Sequence, residues 1–275
     1  LAHTACHLNP DDTEYFMPLA LLALTISAFA IATTEFVIVG LVPTIANQLA
    51  ISLPSAGLLV SIYALGVAVG APVLTALTGR FPRKQLLVAL MVLFTAGNVL
   101  AWQAPDYTTL VIARLLTGLA HGVFFSIGST IATSLVPKEK AASAIAIMFG
   151  GLTVALVTGV PLGTFIGQHF GWRETFLAVS LLGVIALVTS LLLVPSNIPG
   201  RASASLSDQL KVLTHPRLLI IYAVTALGYG GVFTAFTFLA PMMQDLLLSQ
   251  RRELDLAGVR YFRCDWQYLG RQACG

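Results

Sequence analysis

Charged side chains are scarce in this sequence. Asp, Glu, Lys and Arg make up 10% of its 275 residues, against roughly 25% in ordinary soluble domains. So few charges cannot cover the surface of a water-soluble protein, and 57% of the residues are hydrophobic. The composition therefore predicts an all-α membrane protein, because helices satisfy their own backbone hydrogen bonds in lipid.

The sequence also lacks the residue patterns of several other kinds of functional site. The three cysteines, Cys6, Cys264 and Cys274, lie near the two ends without zinc or disulfide spacing. No metal-ligand cluster and no nucleophile–base set is present, so we predict neither an enzyme nor a metal or other cofactor. The net charge of +3 is too small to indicate nucleic-acid binding.

Long apolar runs dominate the rest of the chain. A helix needs about 20 apolar residues to cross the hydrocarbon core of a bilayer. Seven segments meet this requirement, and they cover residues 18–42, 55–78, 85–103, 108–136, 141–167, 176–194 and 217–244.

Positive residues predict how these spans are oriented. Alternate loops carry eight positive charges, whereas the loops between them carry only Arg173 up to the seventh span. The positive-inside rule places the eight-charge side and the N-terminus in the cytoplasm. The eight residues are Arg80, Arg83, Lys84, Lys138, Lys140, Arg201, Lys211 and Arg217.

Three ionisable residues fall inside the spans: Glu35, Arg114 and His121. Intramembrane charges usually face a bundle interior or a wet cavity and mark ion or substrate paths. Glu35 and Arg114 have comparable depth in their helices, so they could pair, either as a structural ion pair or as a proton-coupling site. His121 shares the helix face of Arg114, and such a histidine is more often a hydrogen-bonded packing residue.

Several motifs resemble signatures of the major facilitator superfamily, in particular its drug/proton antiporter branch. LTGRFPRKQLL resembles the basic loop motif through Arg80, Arg83 and Lys84, although Gly79 stands at its acidic position. ARLLTGLAHG resembles the motif that begins with an arginine in the fourth span. TGVPLGTFIG resembles the antiporter motif of the fifth span, which its Gly159, Pro161, Gly163 and Gly167 carry.

The resemblance implies two six-helix bundles built from inverted three-helix repeats, with the substrate near the membrane midplane between them. It implies proton-coupled efflux of a small organic solute, such as a drug or a sugar, across the inner membrane. Glu35 and Arg114 would couple protons. Small or aromatic residues would suit an amphipathic substrate, and the candidate cavity residues are Tyr63, His121, Phe124 and Phe125.

The chain divides into five parts on this interpretation. Residues 1–16 form a tail that precedes the first methionine and is a candidate non-native segment. Residues 17–194 form a six-helix transporter bundle, 195–216 a cytoplasmic linker, and 217–245 a seventh helix. Residues 246–275 are suddenly rich in Arg, Gln and Cys.

Within that segment, residues 250–275 can be back-translated with ordinary codons and read shifted forward by one nucleotide. The shifted reading yields an apolar helix followed by GGKLA, which resembles the start of the loop motif. We therefore hypothesise a frameshift between Asp245 and Gln250 and an incomplete transporter. The alternatives are an inactive truncation product and a seven-helix receptor-type protein, although the seventh span has no lysine for a retinal Schiff base.

Overall fold

The computed structural model describes residues 10–78, 81–196, 198, 215–235, 237–239, 242–243 and 246. Within these residues the regular structure is entirely helical. Seven helices are long and apolar enough to cross a membrane, which confirms the predicted fold class and the number of spans.

The helices are named by their order in the chain. The first is Pro10–Gln48, the second Leu53–Leu77, the third Arg83–Trp102 and the fourth Tyr107–Ser134. The fifth span is Lys138–His169, the sixth helix is Trp172–Leu193 and the seventh span is Pro216–Leu239. The fifth span is composite: a 3₁₀ turn Lys138–Lys140, an α-helix Ala141–Val154, a π-helical turn Ala155–Gly159 and an α-helix Val160–His169.

The first helix is longer than predicted at both ends. It starts at Pro10, inside the segment that the sequence assigned to the tail, and it continues to Gln48. The predicted linker lies almost wholly outside the described residues, and the predicted aberrant tail does so apart from Leu246.

Polar side chains and one glycine define several helix ends. The Ser52 hydroxyl accepts a hydrogen bond from the Ser55 N–H at the start of the second helix, and Asp106 accepts one from the Thr109 N–H at the start of the fourth. Gly171 separates the fifth span from the sixth helix with φ +108°, a conformation that glycine adopts without steric cost.

The first helix lies at the centre of this arrangement. It contacts the second, fourth, fifth and sixth helices, while the second packs on the fourth, and the third packs on the fourth and sixth. Glycine-lined interfaces hold two of these pairs: the second with the fourth, and the first with the fifth. This arrangement brings residues of the first, second and fourth helices to one place.

The π turn in the fifth span has a local cause. Pro161 has no N–H to donate to the Val157 carbonyl, and its ring crowds that carbonyl. One α-helical hydrogen bond is therefore lost at this point, and the π-helical turn lies directly before it. Gly159, the last residue of that turn, is buried against Thr33 of the first helix.

The seventh helix is mostly exposed over its described residues. Its contacts with the other helices lie towards its C-terminal end, where the Phe233 ring stacks on Phe36 with centroids 5.7 Å apart. Phe238 lies beside Gly57 of the second helix. The seventh helix is therefore anchored to the first and second helices at one end.

Candidate functional site

Glu35 and His121 approach each other between the first and fourth helices. The Glu35 Oε2 atom lies 3.7 Å from His121 Nδ1. Their side chains keep 17% and 13% of their surface exposed, so both are mostly buried but reachable by water. At this distance the two groups interact electrostatically without a hydrogen bond of normal length.

Tyr63 of the second helix shares the same histidine nitrogen. Its hydroxyl lies 2.8 Å from His121 Nδ1, a normal hydrogen-bond length. Tyr63 is only 2% exposed. Since Nδ1 holds either one hydrogen or one lone pair, a full hydrogen bond to Tyr63 leaves it unavailable to Glu35.

Arg114 lies on the other side of Tyr63. Its guanidinium carbon is 4.1 Å from the centroid of the Tyr63 ring, the geometry of a cation–π contact. Its Nη1 donates to the Thr34 carbonyl at 2.9 Å, and its Nε lies 3.4 Å from the Leu59 carbonyl. Arg114 is 1% exposed, and its Nη2 has no hydrogen-bond partner among the described residues.

These contacts differ from the predicted pairing. In the described part of the chain, no nitrogen of Arg114 lies within 4.0 Å of a Glu35 oxygen, and Glu35 meets His121 instead. The physical reason is helix geometry: Arg114 binds the backbone of Thr34, and Tyr63 and His121 occupy the space towards Glu35. Arg114 still acts on Glu35 through its charge.

A polar residue of the third helix supports this position. The Thr34 hydroxyl donates to Asn98 Oδ1 at 2.6 Å, and Asn98 Nδ2 donates to the Phe94 carbonyl at 2.8 Å. Both side chains are fully buried. Sequence reasoning missed Asn98, although an amide inside an apolar span is a signal that could have found it.

The two predicted phenylalanines of the cavity have different surroundings. Phe125 is half-buried and lies 4.9 Å from His121 and 5.0 Å from Phe149 between ring centroids. Phe124 is fully buried in the packed core. Adjacent residues of a helix point about 100° apart, so Phe124 faces neighbouring helices and does not line an open cavity here.

The motif residues occupy two further places. Gly159, Gly163 and Gly167 face the first helix at Thr33, Val37 and Leu41, while Pro161 is exposed. Arg83 is buried at the start of the third helix and Lys84 is half-buried, whereas Arg80 lies outside the described residues.

Arg173 performs a structural task at the opposite end of the bundle. Its Nε and Nη2 donate to the Ala104 carbonyl at 3.1 and 2.8 Å, and its guanidinium lies over the Trp172 ring. It therefore joins the sixth helix to the loop that follows the third.

The cluster suits proton handling better than bond chemistry. It contains a carboxyl, an imidazole and a phenol in contact, with a guanidinium beside them, and such groups can hold and pass protons. Among the described residues, no group of three or more His, Cys, Asp or Glu side chains could hold a metal ion.

Comparisons with known proteins agree with this architecture. The family model described as Major Facilitator Superfamily matches residues 24–259. The chain is 55% identical over 227 residues to the uncharacterized MFS-type transporter YtbD of Bacillus subtilis (strain 168), covering 82% of this chain and 57% of that protein. It is 48% identical over 226 residues to the inner membrane transport protein YdhP of Escherichia coli (strain K12), covering 82% and 58%.

A named resistance protein is also similar. The chloramphenicol resistance protein of Streptomyces lividans is 37% identical over 235 residues, covering 83% of this chain and 59% of that protein. The chain thus spans a little over half the length of these curated relatives. A bacterial homologue of the human lysosomal transporter Spinster has the same fold, with a TM-score of 0.65 at 20% identity, covering 82% of this chain and 55% of that one.

Proposed function

The chain belongs to the major facilitator superfamily and is a multi-pass membrane protein of a transporter family, and on this premise we propose that it serves proton-coupled export of a small organic solute. Glu35 is the proton site in this proposal, and Arg114 is the fixed positive charge that acts on it. The observation that carries the proposal is the contact of Glu35 with His121 in a mostly buried cluster beside Arg114.

The burial of Glu35 supports a role beyond packing. It is the only charged residue between residues 17 and 78, and placing an ionised carboxyl in such surroundings is costly. A purely structural ion pair would bring it into direct contact with Arg114. Instead Arg114 binds backbone carbonyls, and Glu35 keeps part of its surface open to water.

Substrate export is coupled to proton entry if protons and substrate compete for this cluster. An ionised Glu35, whose side chain is partly exposed, can bind polar groups of a substrate, and the buried Arg114 acts on it through its charge. Protonation of Glu35 removes its charge and weakens that binding. Proton entry from the outer side would then release the substrate outward, which is antiport.

The expected substrate is small and amphipathic. Phe125 and Phe149 offer an apolar ring surface next to the polar cluster, and pockets of this mixed character suit organic solutes. The chloramphenicol resistance protein of Streptomyces lividans makes chloramphenicol a reasonable first probe.

We also propose an orientation. The charge distribution favours a cytoplasmic N-terminus, and the relative YdhP is an inner membrane protein, which supports an inner-membrane location. In this orientation Glu35, Arg114 and His121 lie inside the first and fourth spans. The motif that resembles the antiporter signature would then lie on the fifth span, and the basic loop motif in a cytoplasmic loop.

The test is proton-driven transport in everted membrane vesicles. Because the chain spans a little over half the length of its relatives, it is expressed both alone and with the remaining second half of YdhP as a separate polypeptide. Chloramphenicol added to vesicles with an imposed pH gradient should dissipate part of that gradient. The Glu35→Gln variant should abolish this response, and Glu139→Gln, in the exposed 3₁₀ turn, should retain it.

Two results would contradict the proposal. One is a Glu35→Gln variant that inserts normally and responds like the unmodified chain. The other is an inserted pair of halves that moves chloramphenicol at the same rate with and without a pH gradient.

A further inference from the structure

His121 is shared by two competing partners. Its Nδ1 lies 2.8 Å from the Tyr63 hydroxyl and 3.7 Å from Glu35 Oε2. A ring nitrogen that carries a hydrogen donates, and one without a hydrogen accepts. Nδ1 can therefore accept from Tyr63 or donate to the Glu35 carboxylate, but it cannot do both.

We infer that His121 is a positioning residue whose Nδ1 exchanges between Tyr63 and Glu35 as Glu35 gains and loses its proton. In one state, which fits the 2.8 Å contact, the Tyr63 hydroxyl donates to an Nδ1 without a hydrogen. In the other state Nδ1–H donates to the ionised carboxylate and Tyr63 loses its partner. This inference rests on the proposed role of Glu35 as the proton site.

The exchange accounts for every proton and needs no charged form of the histidine. The proton leaving Glu35 goes to water, which reaches both side chains because each is partly exposed. The single ring proton of His121 moves from Nε2 to Nδ1 by exchange with the same water. The imidazole is neutral in both states, so the exchange places no charge on the histidine.

The groups around His121 leave few other partners. The first helix presents Glu35, the second presents Tyr63, and the fourth, which carries His121, contributes Arg114 one ring further away. The fifth helix presents Phe149, which reaches His121 only through Phe125. Within the described residues, no other titratable or charged group faces the imidazole.

The exchange also changes how Tyr63 is held. Tyr63 is held by its hydroxyl at His121 and by its ring under the Arg114 guanidinium. When Nδ1 turns to Glu35, the Tyr63 hydroxyl is released and only the ring contact remains. Proton loss at Glu35 is thereby transmitted to the second helix through one hydrogen bond.

The experiment measures the protonation of Glu35 directly. The full chain is reconstituted in phosphatidylcholine bilayers and titrated with pH while the infrared band of protonated carboxyl groups is recorded. The band that Glu35→Gln removes belongs to Glu35. This readout needs no transport, so it is separate from the vesicle test of the proposed function.

Opposite shifts are expected from the two partners. His121→Leu removes the donor to the carboxylate, so the band should disappear at higher pH than in the unmodified chain. Tyr63→Phe keeps the ring under Arg114 but removes the competitor for Nδ1, so the band should disappear at lower pH. Each shift should be about one pH unit, the size expected of a hydrogen bond to a charged group.

Two more variants separate exchange from simple packing. In the His121→Leu background, Tyr63→Phe should cause no further downward shift, since its effect requires Nδ1. His121→Asn carries a donor and an acceptor on one short side chain, so its shift should be smaller than that of His121→Leu.

Shifts of Tyr63→Phe and His121→Leu in the same direction would overturn the inference, and so would additive shifts in the double variant. If Glu35→Gln transports normally but the opposite shifts are found, the exchange stands and the transport role of Glu35 falls. If Glu35→Gln abolishes transport but the pH shifts of the two single variants add in the double variant, the exchange is wrong and the transport role of Glu35 stands.

Discussion

Two glycine-lined interfaces of this bundle differ in what the glycines touch. Where the second helix meets the fourth, a Cβ at Gly66 would lie 2.7 Å from the Leu115 carbonyl oxygen, and one at Gly122 would lie 2.5 Å from the Val67 carbonyl oxygen. Where the first helix meets the fifth, a Cβ at Gly163 would meet a side chain, 2.6 Å from Val37 Cγ2. The first pair is backbone against backbone. In the second, Gly159, Gly163 and Gly167 face side chains of the first helix, whereas Gly151 faces the backbone of Thr25.

The contact between the second and fourth helices is therefore rigid, whereas the contact of the first helix with Gly159, Gly163 and Gly167 is adjustable. A carbonyl cannot move without its helix, whereas a side chain can shift by a few tenths of an ångström without moving the backbone. Tyr63 and His121 lie on the rigid pair, which explains how their 2.8 Å contact is held across two helices. The fifth helix, with its π turn, contacts the first helix through the adjustable interface.

The largest expected effect is that of Gly118→Ala. Its Cβ would overlap the Tyr63 carbonyl oxygen and lie 3.2 Å from the Gly66 Cα, so the second helix must move. We expect a loss of about 2–3 kcal/mol in the free energy of unfolding, the upper part of the range for overpacking. Unfolding by sodium dodecyl sulfate in mixed micelles measures it.

Gly150→Ala is the control for that substitution. A Cβ at Gly150 would meet nothing within 4 Å, and alanine is the better helix former. The variant should be as stable as the unmodified chain or slightly more stable. Equal stability of the Gly118→Ala and Gly150→Ala variants would remove the distinction between the interfaces.

Gly163→Ala should have an intermediate effect, because Val37 and Thr175 can adjust their side chains. We expect a loss of about 1 kcal/mol, the lower end of the overpacking range. Adding Val37→Ala removes the side chain in the way, so the double variant should be more stable than the sum of the two single changes predicts.

No such compensation exists at Gly118, where the obstacle is a backbone carbonyl. The same unfolding assay applied to the four chains of this cycle gives the coupling. Strict additivity at Gly163 and Val37 would show that this interface does not adjust.

The smallest effect on stability should come from Asp106 at the start of the fourth helix, away from both glycine-lined interfaces. Asp106 lies just before the span, and the hydrogen bond from the Thr109 N–H lowers the pKa of its carboxyl below the ordinary value of 3.8. Stability from the ionised cap is therefore present above that ordinary value and is lost as pH falls through the lower folded-state pKa.

Asp106→Asn keeps an oxygen acceptor for the Thr109 N–H but cannot titrate. Between neutral pH and about pH 3, the unmodified chain should lose slightly more stability than this variant. Unfolding curves at several pH values measure the difference. Identical pH profiles for the two chains would rule out a contribution from this cap.

Much of the fold was predictable because it depends on local composition. Seven apolar runs predicted seven helices, and charge scarcity predicted the membrane. Pro43 did not end the first helix, which continues to Gln48, because a proline inside a long helix costs only one hydrogen bond that neighbouring residues can offset. The small-residue spacing around Gly118 and Gly163 indicated close packing, but not whether the partner atom was backbone or side chain.

The site was predictable only as a set of residues. Glu35, Arg114 and His121 are conspicuous in the sequence because ionisable groups are rare inside spans, and Tyr63 and Phe125 followed as candidates. The burial of Phe124 did not, since it depends on how neighbouring helices pack. Asn98 was missed, although an amide inside an apolar span is a sequence signal.

The sequence by itself determined that this chain is a helical membrane protein, because apolar length and the positions of charges decide what enters a bilayer. Only the tertiary structure decided that Glu35 meets His121 rather than Arg114, and that Tyr63 lies between the Arg114 and His121 side chains. Those contacts depend on how three helices rotate and approach one another. That geometry is set by glycine contacts across helices, which no single stretch of sequence contains.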